Sequence, residues 1–196
     1  MSIDIAQHAI RSGADAIGYM FYEGSKRYIN IHQAEEINSV ITPFVSTVAV
    51  VANQEIDFIK SMIKIVRPDY IQFHGDETPE FCRIFGVDYI KAIRVRPDSN
   101  LEKIEAEYDD ASAIMLDTYN KKHLGGTGES FNWNMANYKR NKPVIIAGGL
   151  DPENVCQAIK ISNPYGVDVS SGVESDEHKD SEKITQFCNN VMHCDC

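Results

Sequence analysis

The sequence predicts an α/β chain built around parallel strands, and three observations carry that expectation. Short runs rich in Val and Ile recur along its 196 residues, as at 44–52, 89–95 and 143–149. These runs are mostly apolar at successive positions, which suits strands buried on both faces. A stretch with helical spacing or helix caps lies between each run and the next, and the strand starts fall about 19 to 30 residues apart. Alternation at that spacing means right-handed strand–helix–strand crossovers.

The elements follow in order. Ser2 caps a helix over residues 3–12, with Ile3, Ala6, Ala9 and Ile10 on one face and Asp4 in its first turn; Gly13 ends it. Residues 15–21 form a strand, and a polar loop runs from Tyr22 to Tyr28. A helix over 31–41 leads to a strand over 44–52, and a helix over 54–66 stops at Arg67-Pro68. The strand 70–74 closes at Gly75-Asp76-Glu77, and a helix runs from Pro79 to Gly86. Strand 89–95, helix 100–108 and strand 113–118 come next, and a helix begins at Asn132. Strand 143–149 precedes a helix over 153–161, with Asp151 as N-cap and Pro152 at its first position. Strand 166–172 and a helix from Asp180 to about Met192 complete the chain. This makes seven strands and eight helices, opening on a helix cap. The count alone leaves two architectures: an open doubly wound sheet, or a closed eight-fold barrel whose first strand is absent from the sequence.

Composition narrows the function. With 43% apolar and 24% charged residues this is a soluble globular chain, expected to be one domain over residues 1–196. No apolar run reaches membrane-spanning length; the longest, 44–52, is interrupted by Ser46 and Thr47. The first residues lack a basic, apolar export pattern. Five cysteines, an odd number without a regular framework, fit a reducing cytoplasm. A net charge of −10 argues against nucleic-acid partners but not against a small anionic ligand held by local donors. No metal site is expected. The six histidines lack metalloprotease spacing, and His193, Cys194 and Cys196 offer too few ligands at a chain end. Cys82 and Cys156 fall within helices and read as packed thiols. Oligomeric state is not legible.

The candidate chemistry gathers at strand ends. Asp117 closes the strand 113–118 and is followed by a polar loop containing Gly125-Gly-Thr-Gly128. A carboxylate there, before a loop whose glycines let backbone approach a ligand, is an active-site arrangement; a capped strand end is the plain alternative. The run Ala147-Gly-Gly-Leu150 places Gly148 and Gly149 after one strand, and Ser170, Ser171 and Gly172 follow the next. Two successive strands with small, donor-rich ends suit a phosphate, as on the last two loops of (βα)8 barrels; otherwise they are tight turns. Arg27 lies in the loop after the first strand, where its guanidinium suits a carboxylate, although a solvated surface arginine has the same signature. His74 and Arg94 are further candidates. His74 serves equally as a hydrogen-bonded structural residue, and Arg94, like Lys91, lies in a buried strand where a charge needs a partner or a ligand. Lys179 either helps to neutralise a substrate or is solvated, and Asp168 is a second carboxylate that also reads as structural.

These residues resemble a known family. The runs Gly13-Ala-Asp-Ala-Ile-Gly-Tyr-Met-Phe-Tyr22, Ser25-Lys-Arg-Tyr28, Ile71-Gln-Phe-His-Gly-Asp-Glu77, Lys91-Ala-Ile-Arg-Val95, Leu116-Asp-Thr118 with Gly125–Gly128, Ala147–Leu150, Pro152-Glu-Asn154 and Val167–Glu174 are similar to those of phosphoribosylanthranilate isomerases, in order along nearly the whole chain. The resemblance implies a (βα)8 TIM barrel, here with seven parallel strands and eight helices. It implies the cofactor-free Amadori rearrangement of N-(5-phosphoribosyl)anthranilate to 1-(2-carboxyphenylamino)-1-deoxy-ribulose 5-phosphate in tryptophan biosynthesis. It makes Asp117 the general acid that protonates the furanose ring oxygen, and Arg27 the holder of the anthranilate carboxylate. Gly149, Ser171 and Gly172 fall in the matching phosphate loops.

One departure stands against these matches. The family opens with a strand ending in Lys-Ile-Cys-Gly, whose cysteine is the general base, and Ser2-Ile-Asp4 matches the residues just after it. No other cysteine falls at an expected strand end. The simplest expectation is a start at an internal methionine; a degenerate ligand binder, or a strand supplied by another chain, are the alternatives. One acid–base group is typically worth ~10²–10⁴-fold, so these 196 residues alone are expected to be poorly active, and equal rates for a form extended upstream would refute this. Another phosphosugar enzyme on the same scaffold and a non-catalytic phosphate-binding barrel are the competing functions.

Overall fold

The computed structural model describes residues 2–118 and 131–194. The expected glycine-rich loop at Gly125–Gly128 and Cys196 lie outside the described residues. The chain divides into two compact units, residues 1–90 and 91–196.

In the first unit β1 (Ala16–Met20), β2 (Ser46–Val51) and β3 (Tyr70–Phe73) pair in parallel in that order, with Ile17 opposite Thr47 and Ala49 opposite Ile71. They alternate with α1 (Ile3–Arg11), α2 (Ile31–Asn38) and α3 (Ile56–Val66). Ser2 caps α1 by accepting from the Ile5 N–H. Asn30 and Gln33 form a reciprocal capping box on α2. Arg67, in the left-handed region ahead of Pro68, ends α3. Tyr19, Phe21, Ile59, Met62, Ile71 and Phe73 are fully buried. Burying side chains of this size contributes ~1.5–3 kcal/mol each. Burial pushes the Tyr19 phenol up to about 12, and the charge of Asp69 adds to the shift.

Two expectations change here. The strand expected over 44–52 begins only at Ser46, because Phe44 adopts a left-handed φ of 72° in the turn before it and is fully exposed. The helix expected from Pro79 to Gly86 is one α-turn, α4 (Pro79–Cys82), followed by a 3₁₀ turn (Arg83–Phe85). Phe73 packs with Phe81, Phe85 and Tyr89 at centroid distances of 5.7–6.2 Å, so the short element is held by aromatic packing rather than by helix length.

The strand β4 (Tyr89–Val95) carries the division between the units. In the second unit β5 (Ala113–Thr118), β6 (Val144–Ile146) and β7 (Gly166–Val167) pair in parallel, with Leu116 opposite Ile146 and Ile146 opposite Val167. The helices are α5 (Leu101–Glu107), α6 (Val155–Ser162) and α7 (Ser181–Met192). All of β5 is buried, as its apolar run requires.

Seven α-helices are present among the described residues, against eight expected. The helix expected from Asn132 is a single 3₁₀ turn, Trp133–Ala136. Asn132, Asn134 and Asn137 crowd this segment, and asparagine side chains compete with the helical backbone: Asn132 accepts from the N–H two residues on, and Asn137 donates to the Ile161 carbonyl. Asp151 was expected as the N-cap of α6. Its Oδ1 does accept from the N–H groups of Glu153 and Asn154, but these residues form a turn, and α6 begins at Val155 after Asn154. The strand expected over 166–172 is only two residues long. It gives way to a 3₁₀ turn (Ser171–Val173) and a small hairpin, β8 (Glu174–Ser175) against β9 (His178–Lys179). Among the described residues no helix is long and apolar enough to cross a membrane.

Candidate active site

Asp117 is the penultimate residue of β5 and is 4% exposed. Its Oδ1 accepts from the Thr118 N–H at 2.7 Å. Parallel pairing carries the Ala147 N–H to the Leu116 carbonyl at 2.8 Å, which sets Gly148 directly against the carboxylate. Gly148 has φ +77°, and a Cβ there would overlap Asp117 Oδ1 and lie 2.5 Å from both Thr118 N and Thr118 Oγ1. Only glycine permits this approach.

The next loop is held by Asn154, whose side chain donates to the Gly149 carbonyl at 2.8 Å and accepts from the Asp151 N–H at 3.0 Å. A Cβ on Gly172 would collide with the Leu150 carbonyl and lie 2.9 Å from Asp151 Cα. The loops after β6 and β7 are therefore packed backbone to backbone. Asp117, Gly148 and Gly149 come together with Ser170, Ser171 and Gly172 at the C-terminal ends of three adjacent strands, where enzymes of parallel α/β folds hold their ligands. Ser170, Ser171, Gly148 and Gly149 are half-buried.

Lys179 is not a solvated surface lysine. Its Nζ donates to the Ser170 carbonyl at 2.6 Å and pairs with Glu174 Oε1 at 3.0 Å, with only 18% and 12% of the two side chains exposed. Asp168 is exposed at the end of the short β7. Arg94 is half-buried in β4, while Lys91 is buried with its ammonium 5.7 Å from the centre of the Tyr108 ring, a cation–π contact. Thr118 Oγ1 and Trp133 Nε1 are buried with no hydrogen-bond partner among the described residues.

In the first unit, Arg27 is half-buried in the loop after β1, and its N–H donates to Ser25 Oγ at 3.1 Å. The Ile29 N–H returns to the Met20 carbonyl and closes that loop. His74 follows β3, and its Nδ1 lies 2.7 Å from Gln72 Nε2, so the ring has a structural partner. Glu77, read from the sequence only as the end of a turn, was not singled out for a role. It is buried, and its carboxylate accepts from the N–H groups of Asn53 (2.6 Å) and Gly75 (2.9 Å), tying together the loops after β2 and β3. A Gly-Asp-Glu run reads as a turn, and its place in a family-like run does not say which partners the carboxylate takes. Among the described residues no group of three His, Cys, Asp or Glu side chains is placed to hold a metal ion, and Cys82 and Cys156 lie on α4 and α6.

The family model for N-(5'-phosphoribosyl)anthranilate (PRA) isomerase matches residues 2–190. The chain belongs to this family. It is 42% identical over 190 residues to the N-(5'-phosphoribosyl)anthranilate isomerase of Nitrosospira multiformis, covering 96% of this chain and 91% of that protein. A relative of the same name from Pseudomonas putida is 44% identical, with 94% and 90% covered. Among solved structures, phosphoribosylanthranilate isomerase from Thermotoga maritima is similar at a TM-score of 0.89 and 35% identity, covering 98% of this chain and 95% of that one. A further phosphoribosylanthranilate isomerase structure, in complex with reduced 1-(o-carboxyphenylamino)-1-deoxyribulose 5-phosphate, is similar at a TM-score of 0.85. The fold class is accordingly α/β of the (βα)8 TIM-barrel type, and the doubly wound alternative falls.

Proposed function

We propose that this chain carries the activity of its family, the Amadori rearrangement of N-(5'-phosphoribosyl)anthranilate to 1-(2-carboxyphenylamino)-1-deoxy-ribulose 5-phosphate in tryptophan biosynthesis, and that it acts in the cytoplasm. The observation that carries the reading is the contact between the Asp117 carboxylate and Gly148, on the strand ends that also bear Gly149, Ser170, Ser171 and Gly172. In this reading the substrate's phosphate is met by backbone N–H groups of the last two loops and its ring oxygen by the acid.

Asp117, as its carboxylic acid, donates a proton to the furanose ring oxygen. The ring C–O bond breaks and the nitrogen lone pair forms the Schiff base. Loss of the C2′ proton then gives an enolamine that tautomerises to the ketone. Arg27 suits the anthranilate carboxylate, a planar acceptor for a planar donor. The cysteines among the described residues lie on helices or just past the end of α7, so none of them stands at a strand end as a candidate base.

The test is Asp117→Asn with the phosphoribosyl substrate. Turnover is expected to fall ~10²–10⁴-fold while the product analogue still binds, because only the proton donor is removed. Unchanged turnover would overturn the assignment. The second reading, a non-catalytic phosphate-binding barrel, is favoured by the helical placement of those cysteines. It predicts that the unsubstituted chain binds the reduced product analogue with no turnover at all.

A further inference from the structure

We propose that Lys179 is a positioning residue that aims the Ser171 N–H at the ligand's phosphate by holding the carbonyl on the other side of the same peptide. This rests on the proposed phosphate site. A trans peptide is planar, and its C=O and N–H point in opposite directions. The Ser170 carbonyl accepts from Lys179 Nζ at 2.6 Å, so the N–H of Ser171 is turned away from Lys179. The loop cannot swing freely about this pin, because Gly172 is packed against the Leu150 carbonyl with no room for a Cβ.

The pin is itself braced. Glu174 Oε1 holds Lys179 Nζ at 3.0 Å across the β8–β9 hairpin. The Glu174 carbonyl accepts from Lys183 Nζ at 2.7 Å. Ser175 Oγ donates to Asp180 Oδ2 at 2.6 Å, and the Asp180 N–H returns to the Val173 carbonyl at 2.9 Å. Asp180 in turn caps α7 through the N–H groups of Glu182 and Lys183. The hairpin is thus fastened to a twelve-residue helix, and Lys179 is presented from a fixed base. Because its charge is matched by Glu174, Lys179 acts through geometry rather than as the phosphate's counterion.

The two roles separate in Glu174→Gln. A counterion role predicts tighter phosphate binding once the competing carboxylate is neutralised. A positioning role predicts weaker binding, because Lys179 loses its brace. Inorganic phosphate is titrated by calorimetry into the full chain and into the K179M, K179R and E174Q variants, and the Ser171 amide is followed by ¹⁵N–¹H NMR. K179M is expected to raise the dissociation constant about tenfold, the loss of one charge-assisted hydrogen bond's influence, with K179R recovering most of it. E174Q is expected to weaken binding in the same direction, and the phosphate-induced shift of the Ser171 amide is expected to shrink in K179M. Tighter binding by E174Q, or K179M binding like the unsubstituted protein, overturns the proposal while leaving the phosphate site standing. If phosphate leaves the Ser171 and Gly172 amides of the unsubstituted chain unmoved, the phosphate site falls and the proposal with it. Thermal melts of each variant distinguish loss of the site from loss of the fold.

Discussion

Gly148→Ala tests the geometry on which the site depends, and Gly86→Ala supplies its control. Both glycines have positive φ, +77° and +63°, so an alanine at either position meets the left-handed backbone penalty of ~1–2 kcal/mol. Their surroundings differ. Nothing lies within 4 Å of a Cβ on Gly86, whereas a Cβ on Gly148 overlaps Asp117 Oδ1 and sits 2.5 Å from Thr118 N. A backbone nitrogen in a wholly buried strand cannot yield cheaply, and overpacking of this kind adds ~1–3 kcal/mol. G148A is therefore expected to lose about 2–5 kcal/mol and G86A about 1–2 kcal/mol. In a chain of this length each kcal/mol lowers the melting midpoint by roughly 2–4 °C. Urea unfolding followed by circular dichroism, with equal slopes for both variants, gives the difference directly. Displacing the Asp117 carboxyl by a fraction of an ångström should also cost up to about 10²-fold in turnover. If G148A and G86A unfold at the same urea concentration, the loop after β6 has room for a Cβ at Gly148, and the close approach of Gly148 to the acid is not what the sequence encodes.

Two further outcomes follow from buried or capped carboxylates. Glu105 is 2% exposed and accepts from the Tyr138 hydroxyl and the Asn141 N–H, each at 2.7 Å; burial and this carboxylate together hold the Tyr138 phenol well above the usual range. Glu105→Ala should cost about 3–6 kcal/mol by urea unfolding, since hydrogen bonds to a charged acceptor are worth ~1.5–3 kcal/mol each, and a loss below about 1 kcal/mol would show that water replaces the carboxylate. Asp180 has its carboxyl held below the usual 3.8, chiefly by the Ser175 hydroxyl and then by the Lys183 N–H. A depressed folded-state value means that its stabilisation is complete above pH 3.8 and is lost as the pH falls below it. Asp180→Asn should therefore flatten the acid limb of the stability curve below about pH 4 by lowering neutral stability towards the acid value, while asparagine keeps the helix cap itself. Superimposable acid limbs for the two proteins would contradict the assignment.

Much of the scaffold was legible in the residues because the signals involved are local. The strands 89–95 and 113–118 were read with the bounds the structure gives them, since runs of Val, Ile, Ala and Leu between turn residues fit a strand buried on both faces. Ser2 announced its helix because a capping side chain bonds to a backbone N–H two or three residues away, and Asn100 and Asp180, read only as helix starts, prove to be caps of the same kind. Phe44 misled for the opposite reason. Its apolar side chain extends the run that follows, yet the turn into β2 needs that residue in a left-handed conformation facing solvent. The 3₁₀ turn at Trp133 likewise depends on which distant carbonyl Asn137 finds.

By itself the sequence determined the order of the parallel strands and most of the helices between them, and placed a carboxylate and two small-residue loops at strand ends. These are matters of periodicity and capping, set within a few residues of chain. Only the tertiary structure decided that Gly148 backs onto Asp117, that Gly172 lies on the Leu150 carbonyl, and that Lys179 grips Ser170 rather than reaching into water. A polar side chain takes its partner from whatever packing brings within 3 Å, and for these residues that partner is fixed by strand register and loop packing, which no local pattern records.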